Sequence, residues 1–147
     1  MKSANSSNKI ASHGGVAIKP SSTYSILVMD DEKIVRDLVA SMIKFLGYNV
    51  TTCADGEEAI ALYNSSKEAG KPFLTVIMDL TIPCGMGGKD AAQQILRIDP
   101  NARLIVSSGY SDDPVMADHK KYGFHAILPK PYRIPDLAMV LAELHSL

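Results

Sequence analysis

Short apolar runs alternate with longer amphipathic segments along the chain from Ser25 onward. Five of the runs have the length of β-strands, and three of these are apolar almost throughout, which is typical of strands covered on both faces of a parallel sheet. The predicted strands are residues 26–29, 49–53, 74–78, 104–107 and 125–128. Because a helical segment follows each strand, the pattern predicts parallel strands joined by crossover helices.

The helical segments show apolar residues at steps of three and four. They predict helices over residues 32–46, 56–69, 88–98, 112–123 and 134–145. Gly47, Gly70 and Gly123 mark three helix ends, and Asp113 followed by Pro114 marks a start. The residues that we expect to face the core are Ile34, Val35, Leu38, Met42, Phe45 and Leu46 in the first helix, Ala59, Ile60 and Leu62 or Tyr63 in the second, and Leu137, Val140 and Leu141 in the fifth. Met29, Met42, Met78 and Met139 are also expected to pack in the core.

Five βα units predict an α/β fold, a doubly wound five-stranded parallel sheet with helices on both faces. We expect one domain over residues 24–147, since 147 residues that are 46% hydrophobic can build one core. Residues 1–23 are rich in Ser, Asn, Gly and Lys and have no apolar period. They are expected to be a flexible arm, which could be an interdomain linker, a tail or an expression remnant.

Charge and composition exclude several classes of protein. Fifteen Lys and Arg against sixteen Asp and Glu give a net charge of −1, and without a basic block we expect no direct binding of nucleic acid. Cys53 and Cys84 have no metal-ligand spacing, which favours a reducing, cytoplasmic setting. No apolar run reaches about 20 residues, so we expect no insertion in a membrane. The four histidines are scattered along the chain and receive no role.

Polar residues follow four of the predicted strands. Asp30 and Asp31 come after the first, Asp79 after the third, Ser108 after the fourth and Lys130 after the fifth. The carboxyl ends of parallel strands meet at one edge, where doubly wound sheets bind their ligands. Three carboxylates gathered there need a cation, and Mg²⁺ suits hard oxygen ligands and phosphate. With a lysine and a hydroxyl, the set indicates phosphoryl transfer.

The ordered motifs resemble those of the response-regulator receiver family, which belongs to the flavodoxin-like folds with strand order 2-1-3-4-5. The motifs are ILVMDDE at residues 26–32, VIMDLTIP at 76–83, VSSGY at 106–110 and LPKP at 128–131. The stretch from Asp79 to Gly88 is most similar to receivers attached to hybrid sensor kinases. The resemblance covers the chain from about Tyr24 onward and implies a phosphorelay protein.

The resemblance implies a role for each motif residue. Asp79 matches the phosphoacceptor, Asp30 and Asp31 match the acidic pair that holds Mg²⁺, and the main-chain carbonyl of Thr81 matches a third protein ligand. Asp79 itself also contacts the ion in this scheme. Ser108, rather than Ser107, matches the hydroxyl that contacts the phosphoryl group, and Gly109 the small residue beside it. Lys130 matches the phosphate-binding lysine, and its bond to Pro131 matches one that is usually cis.

One position departs from the family pattern. An aromatic residue or histidine often stands three residues before the lysine and swings inward upon phosphorylation, but here the residue is Ile127. Tyr110, which lies near the same surface, is a conjectural substitute. Phosphorylation should nevertheless draw the Ser108 hydroxyl toward the phosphoryl oxygens and shift the adjacent loop.

The implied donor is a phosphohistidine of a sensor histidine kinase or a phosphotransfer protein. The domain is expected to be a phosphoacceptor rather than an enzyme, one that promotes its own Mg²⁺-dependent phosphorylation and dephosphorylation. It could be a single-domain shuttle or part of a longer hybrid kinase or regulator, and the downstream partner stays open.

Two other functions match part of this pattern. A Mg²⁺-dependent phosphatase with an aspartyl nucleophile needs a second Asp two residues after the first to act as general acid, and this chain has Thr81 there. A flavin-binding module needs a Ser-, Thr- and Gly-rich phosphate loop after the first strand, where Asp30 and Asp31 would instead repel phosphate. Both are disfavoured.

Overall fold

The computed structural model describes residues 24–145. The predicted arm at 1–23 lies outside the described residues, as do residues 146 and 147. The strands are β1 (Ser25–Met29), β2 (Asn49–Cys53), β3 (Thr75–Asp79), β4 (Leu104–Ser108) and β5 (Ala126–Pro129). The helices are α1 (Lys33–Phe45), α2 (Gly56–Glu68), α3 (Gly88–Ile98), α4 (Pro114–Ala117) and α5 (Ile134–His145), with a 3₁₀ helix (His119–Tyr122) between α4 and β5.

The five strands form one parallel sheet in the order β2-β1-β3-β4-β5. The predicted fold class is therefore confirmed. β2 lies on one side of β1 and β3 to β5 lie on the other, so the order of the strands reverses between β1 and β3. Folds of this kind place their ligands at that switch point. β3 and β4 are buried along their whole length, and β1 from Ile26 to Met29, which explains their continuous apolar sequence.

Two of the helices, α2 and α4, begin at an Asp whose side chain caps the helix. At α2 the Asp55 carboxylate accepts a hydrogen bond from the Glu58 amide at 3.0 Å, and the Glu58 carboxylate accepts one from the Ala54 amide at 2.8 Å. This reciprocal pair satisfies amide groups that a helix start leaves without partners. At α4 the predicted cap is confirmed, because Asp113 accepts from the Val115 amide at 2.9 Å.

The sheet separates two layers of core. One layer packs α2, α3 and α4 against the sheet and includes Tyr63 and Ile95; the other packs α1 and α5 and includes Ile43 and Leu137. The sequence predicted that either Leu62 or Tyr63 is buried, and it is Tyr63, at 1% exposure. The Tyr63 hydroxyl donates a 2.7 Å hydrogen bond to Asp99. Burial on both faces holds the carboxyl ends of the central strands in fixed positions.

The predicted core face of α1 was partly wrong. Ile34, Leu38 and Phe45 are 83%, 59% and 73% exposed, whereas Val39 and Ile43 are buried. The helix carries two neighbouring apolar stripes, and a period of 3.6 residues does not say which of them meets the sheet. We call the exposed set, Ile34, Leu38 and Phe45, the α1 stripe.

Met139 on α5 was also predicted to lie in the core, and it is 63% exposed. Leu137 and Leu141 supply the buried face of that helix as expected, with Val140 half-buried beside them. Met29, Met42 and Met78 are buried, which confirms those three predictions.

The predicted fourth helix is broken into two short pieces. α4 spans Pro114–Ala117, and the backbone at Asp118 then leaves the helical region with φ −138° and ψ 56° before the 3₁₀ turn begins. An Asp disfavours a helix interior because its carboxylate competes for nearby backbone amides. Gly123 ends the turn at φ 94°, as its position in the sequence predicts.

Candidate functional site

The acidic pair lies where β1 ends and the chain turns into α1. Asp30 is 3% exposed, and its carboxylate accepts a hydrogen bond from the Glu32 amide at 3.0 Å. Asp31 is exposed and faces the cleft above the sheet edge. The two carboxylates therefore differ in setting, one fixed in the protein and the other open to solvent.

Asp79 is the last residue of β3, the neighbour of β1, and is 7% exposed. One carboxylate oxygen accepts the Thr81 amide at 3.2 Å, and the other lies 3.3 Å from the Lys130 ammonium. Thr81 lines the same cleft. The Asp79 carboxylate is thus held at both oxygens by groups that favour its charged form.

Lys130 follows β5 and reaches across two strands. Its ammonium lies 2.7 Å from Asp30 and 3.3 Å from Asp79, and its side chain is 22% exposed. The Lys130 amide donates to the Ser108 carbonyl at 2.9 Å, and the bond to Pro131 is cis, which confirms that prediction. A single cation therefore bridges two carboxylates.

Burial and charge act in opposite directions here. Burial raises the pKa of Asp79, although the Lys130 charge and the Thr81 amide act to lower it. Burial also works against the charge of Lys130, but its hydrogen bond to Asp30 and the charges of Asp79 and Asp30 leave its pKa raised. The site has more negative than positive groups, so an added cation would favour the ionised form of Asp79.

The donor set fits a hard divalent ion. Asp30, Asp31 and Asp79 each offer a carboxylate oxygen, and these oxygens lie within 4.8 Å of one another. In an octahedron with Mg–O distances of about 2.1 Å, opposite ligand oxygens are about 4.2 Å apart. The three carboxylates are therefore close enough together that they would hold a Mg²⁺ ion.

Ser108 ends β4 and faces this cleft of about 520 Å³, together with Gly109 and Tyr110. Its hydroxyl accepts a hydrogen bond from the Tyr110 amide at 3.0 Å. The Ser107 hydroxyl is enclosed, with no hydrogen-bond partner in the described part of the chain. Of the two serines, Ser108 is the one that shares the cleft with Asp79 and Lys130.

Two contacts at the site were not predicted from the sequence. The Arg36 guanidinium, on the second turn of α1, donates to the Asp30 carbonyl at 2.8 Å and fixes the end of β1. The Tyr110 amide donates a hydrogen bond to the Ser108 hydroxyl. Both bonds involve a main-chain atom, which carries no sequence signal. Ile127, at the position of the usual aromatic residue, is half-buried and packs against the core on the α2 and α3 side.

Comparison with known proteins agrees with this geometry. The model of the response regulator receiver domain family matches residues 26–142, and the chain belongs to that family. It is a receiver domain of the two-component type, a class of phosphoacceptors rather than enzymes. The match to this family excludes the alternatives of a phosphatase and a flavin-binding module. No helix in the described range 24–145 is long and apolar enough to cross a membrane.

Individual relatives differ in length. The chain is 33% identical to the chemotaxis protein CheY of Thermotoga maritima over 109 residues, which cover 74% of this chain and 86% of that protein. It is 28% identical to a response regulator receiver protein of Anaeromyxobacter, covering 76% of this chain but 44% of the relative. A CheY from Borrelia burgdorferi, solved as a CheX-CheY-BeF₃-Mg²⁺ complex, has the same fold at 24% identity, with a TM-score of 0.75 over 83% of this chain and 89% of that one.

Proposed function

We propose that this chain accepts a phosphoryl group on Asp79 from a phosphohistidine of a sensor histidine kinase or a phosphotransfer protein. The observation that carries the proposal is the gathering of three carboxylates within 4.8 Å, with Lys130 bridging two of them. The Borrelia CheY was solved with Mg²⁺ and BeF₃, which supports the same chemistry here. Asp30, Asp31, Asp79 and the Thr81 carbonyl would hold the metal ion.

The transfer joins two anions. A carboxylate oxygen of Asp79 uses its electron pair to form the new O–P bond, while the P–N bond breaks and its electron pair stays on the donor imidazole nitrogen. Lys130 offsets the charge of the incoming phosphoryl oxygens, because its ammonium already lies 3.3 Å from Asp79. A bound Mg²⁺ would supply further neutralisation of the phosphoryl oxygens.

The same groups would serve the loss of the phosphoryl group. Water attacks phosphorus, the P–O bond to Asp79 breaks, and inorganic phosphate leaves. We propose that the chain promotes both its own phosphorylation and this hydrolysis when Mg²⁺ is present. Between the two steps, a contact from Ser108 to the phosphoryl oxygens would shift the loop at 109–113 and carry the signal.

Phosphorylation by acetyl phosphate tests the acceptor. Intact mass spectrometry should show one added phosphoryl group with Mg²⁺ and almost none when the metal is chelated. Asp79→Asn should abolish the addition, and Asp90→Asn, which changes an exposed carboxylate on α3, should leave it unchanged. Equal modification of Asp79→Asn and the unchanged chain would rule out Asp79 as the acceptor.

A separate titration tests the metal site. Mg²⁺ added to the chain and followed by calorimetry should bind about tenfold or more weakly to Asp31→Ala, since one of three carboxylate ligands is lost. Asp90→Ala is the matched control and should bind as the unchanged chain does. Equal affinity in Asp31→Ala would remove Asp31 from the metal site.

The α1 stripe supports a protein as the donor. α1 begins at Lys33, directly after Glu32, which lines the cleft, so the apolar stripe continues from the site onto the helix. Ile34, Leu38 and Phe45 recur at the spacing that an amphipathic helix of a partner can match. We propose that the helical domain carrying the phosphohistidine docks on this stripe.

Transfer kinetics distinguish docking from chemistry. Leu38→Ser should slow transfer from a phosphorylated histidine phosphotransfer protein about tenfold, while phosphorylation by acetyl phosphate stays unchanged. Met139→Ser removes a similarly exposed apolar side chain from α5 and is the control. If Leu38→Ser slowed both donors alike, its effect would belong to the fold and not to docking.

A further inference from the structure

A second cavity lies at the amino end of the sheet, away from Asp79. It has a volume of about 780 Å³, larger than the cleft beside Asp79. Its walls come from the start of β1, the segment before β3, the residue before β4 and the end of α5. Parallel strands place these points at the edge opposite the phosphoacceptor, so the cavity is separate from the proposed phosphorylation chemistry.

The charged side chains of this cavity are basic. Lys71, Arg103 and His145 line it, and no Asp or Glu is among its lining residues in the described range. None of the ion pairs found between residues 24 and 145 involves Lys71 or Arg103. The chain as a whole carries a net charge of −1, so this is a local concentration of positive charge.

Arg103 is oriented by the end of α5. One guanidinium nitrogen donates to the Leu144 carbonyl at 2.8 Å. A guanidinium has five N–H donors in a planar fork, and this bond uses one of them. The cavity thus contains a cation whose direction is set before a ligand arrives, which lowers the entropic cost of binding.

The pKa of His145 is affected by the positive charge in the cavity. Burial, and then the charge of Arg103, lower the pKa of its imidazole. The Nε2 atom of His145 is buried and has no hydrogen-bond partner among the residues that the structure describes. The imidazole is therefore disfavoured as a cation beside Arg103, and a nearby anion would relieve that repulsion.

The remaining walls are apolar or aromatic. Phe73, at 9% exposure, belongs to the buried core, whereas Tyr24 is 44% exposed. Pro72 and Leu74 flank Phe73 in the same wall. A binding site that combines apolar walls with a few converging polar groups is typical of small-molecule recognition.

We propose that this cavity binds a small molecule that has an anionic group and an aromatic or apolar body. The anionic group pairs with Arg103 and Lys71, where charge-assisted hydrogen bonds are strongest. The body packs on the wall formed by Tyr24 and Pro72 to Leu74. Carboxylates, sulfonates and phosphates share this chemistry, and they are distinguished by titration with different probes.

The test uses two probes that share an aromatic body, of which one is charged and the other neutral. Naphthalene-1-sulfonate is anionic, and naphthalene-1-sulfonamide has the same aromatic body without the charge. Each is titrated into the 147-residue chain and followed by amide NMR. We expect saturable shifts at Ser25, Leu74 and Arg103 for the sulfonate, with binding of the sulfonamide at least about tenfold weaker.

Variants that remove one positive charge test which residues bind the anionic group of the probe. Lys71→Gln and Arg103→Gln should each weaken sulfonate binding severalfold, while Lys67→Gln, an equal loss of charge outside the cavity, should not. Lys71→Gln leaves the bond from Arg103 to Leu144 intact, so its result does not depend on that helix end. Repeating the titration with benzoate and phenyl phosphate ranks the anionic groups.

Three results would overturn the proposal. They are equal binding of the two naphthalene probes, shifts confined to another surface such as the α1 stripe, and the absence of saturable binding of any anionic probe at about 10 mM. Each would show that the basic residues do not form an anion site.

Discussion

The loops that follow β3 and β4 both border the cleft, yet they are held very differently. The loop after β3, residues 80–87, is packed against main-chain atoms at several points. A Cβ on Gly87 would lie 2.5 Å from the Leu80 carbonyl oxygen, and one on Gly88 would lie 2.8 Å from that of Asp79. The Gly56 amide also donates to the Met86 carbonyl at 2.7 Å, which ties the loop to α2.

The loop after β4, residues 109–113, is open. A Cβ added to Gly109 would have no atom within 4 Å apart from those of its two chain neighbours, and Tyr110 is 66% exposed. The Asp113 amide donates to the Tyr110 carbonyl at 3.2 Å, and further hydrogen bonds join the loop to Ser108 and to the start of α4, which are its neighbours along the chain. The difference indicates that the loop after β3 holds Asp79 in place, whereas the loop after β4 has room to move when Asp79 is phosphorylated.

The largest expected effect is at Gly88, the first residue of α3, which packs against the end of β3 where the loop begins. Gly88→Ala should lower the free energy of unfolding by about 1–3 kcal/mol, because the new methyl group meets the Asp79 carbonyl oxygen and Met78, which cannot move easily. Urea unfolding measures the change. If Gly88→Ala were as stable as the unchanged chain, the loop after β3 would be less constrained than its packing indicates.

The next largest effect on stability is expected at Ile127, which lies beside the strand that precedes the open loop. Ile127 on β5 pairs with Val106 on β4, and it is half-buried rather than enclosed. Ile127→Ala should therefore cost about 1–2 kcal/mol, less than the roughly 2–5 kcal/mol of a fully buried site. Acetyl phosphate should still modify this variant. A larger loss of stability together with loss of phosphorylation would mean that Ile127 supports the whole site.

A smaller effect on stability is expected at the serine. Ser108→Ala removes the acceptor of the Tyr110 amide, and since that amide lies near solvent the cost should be about 0.5–1 kcal/mol. The variant should accept a phosphoryl group, but beryllofluoride should shift its 109–113 amides much less than in the unchanged chain. An undiminished shift pattern would exclude the Ser108 hydroxyl from the response.

The smallest effect is expected at Gly109, the matched partner of Gly88. The position has open space around it and no positive φ, so Gly109→Ala should leave stability unchanged or raise it by about 0.4–1 kcal/mol through the unfolded state. The same urea experiment applies. A loss comparable to that of Gly88→Ala would remove the contrast between the loops.

Much of this arrangement could be predicted from the sequence. Strand and helix positions followed from apolar periodicity, and Asp30, Asp31, Asp79, Ser108 and Lys130 were brought to one edge by the rule that parallel strands end together. The error on α1 has a simple cause. Periodicity identified α1 but not which of its two apolar stripes meets the sheet, because that choice depends on tertiary packing.

Main-chain geometry explains the rest. The bonds from Arg36 to the Asp30 carbonyl and from the Tyr110 amide to Ser108 have no signature in residue type. The start of the fourth helical segment at Asp113 and its end at Gly123 were predicted correctly, but the break at Asp118 was not. The stability of a short helix depends on contacts beyond its own sequence, and periodicity does not describe those contacts. The cavity at the amino edge was not foreseen, because Lys71, Arg103 and His145 are far apart along the chain.

The bridge from Lys130 to Asp30 joins residues that are 100 positions apart in the chain. Closing so long a loop costs conformational entropy, and pairing of the intervening strands reduces that cost. A partly folded molecule can therefore contain β1 and β3, with both carboxylates in place, and still lack its lysine. Competence to receive a phosphoryl group therefore requires the fifth strand to be in place as well as the first and third.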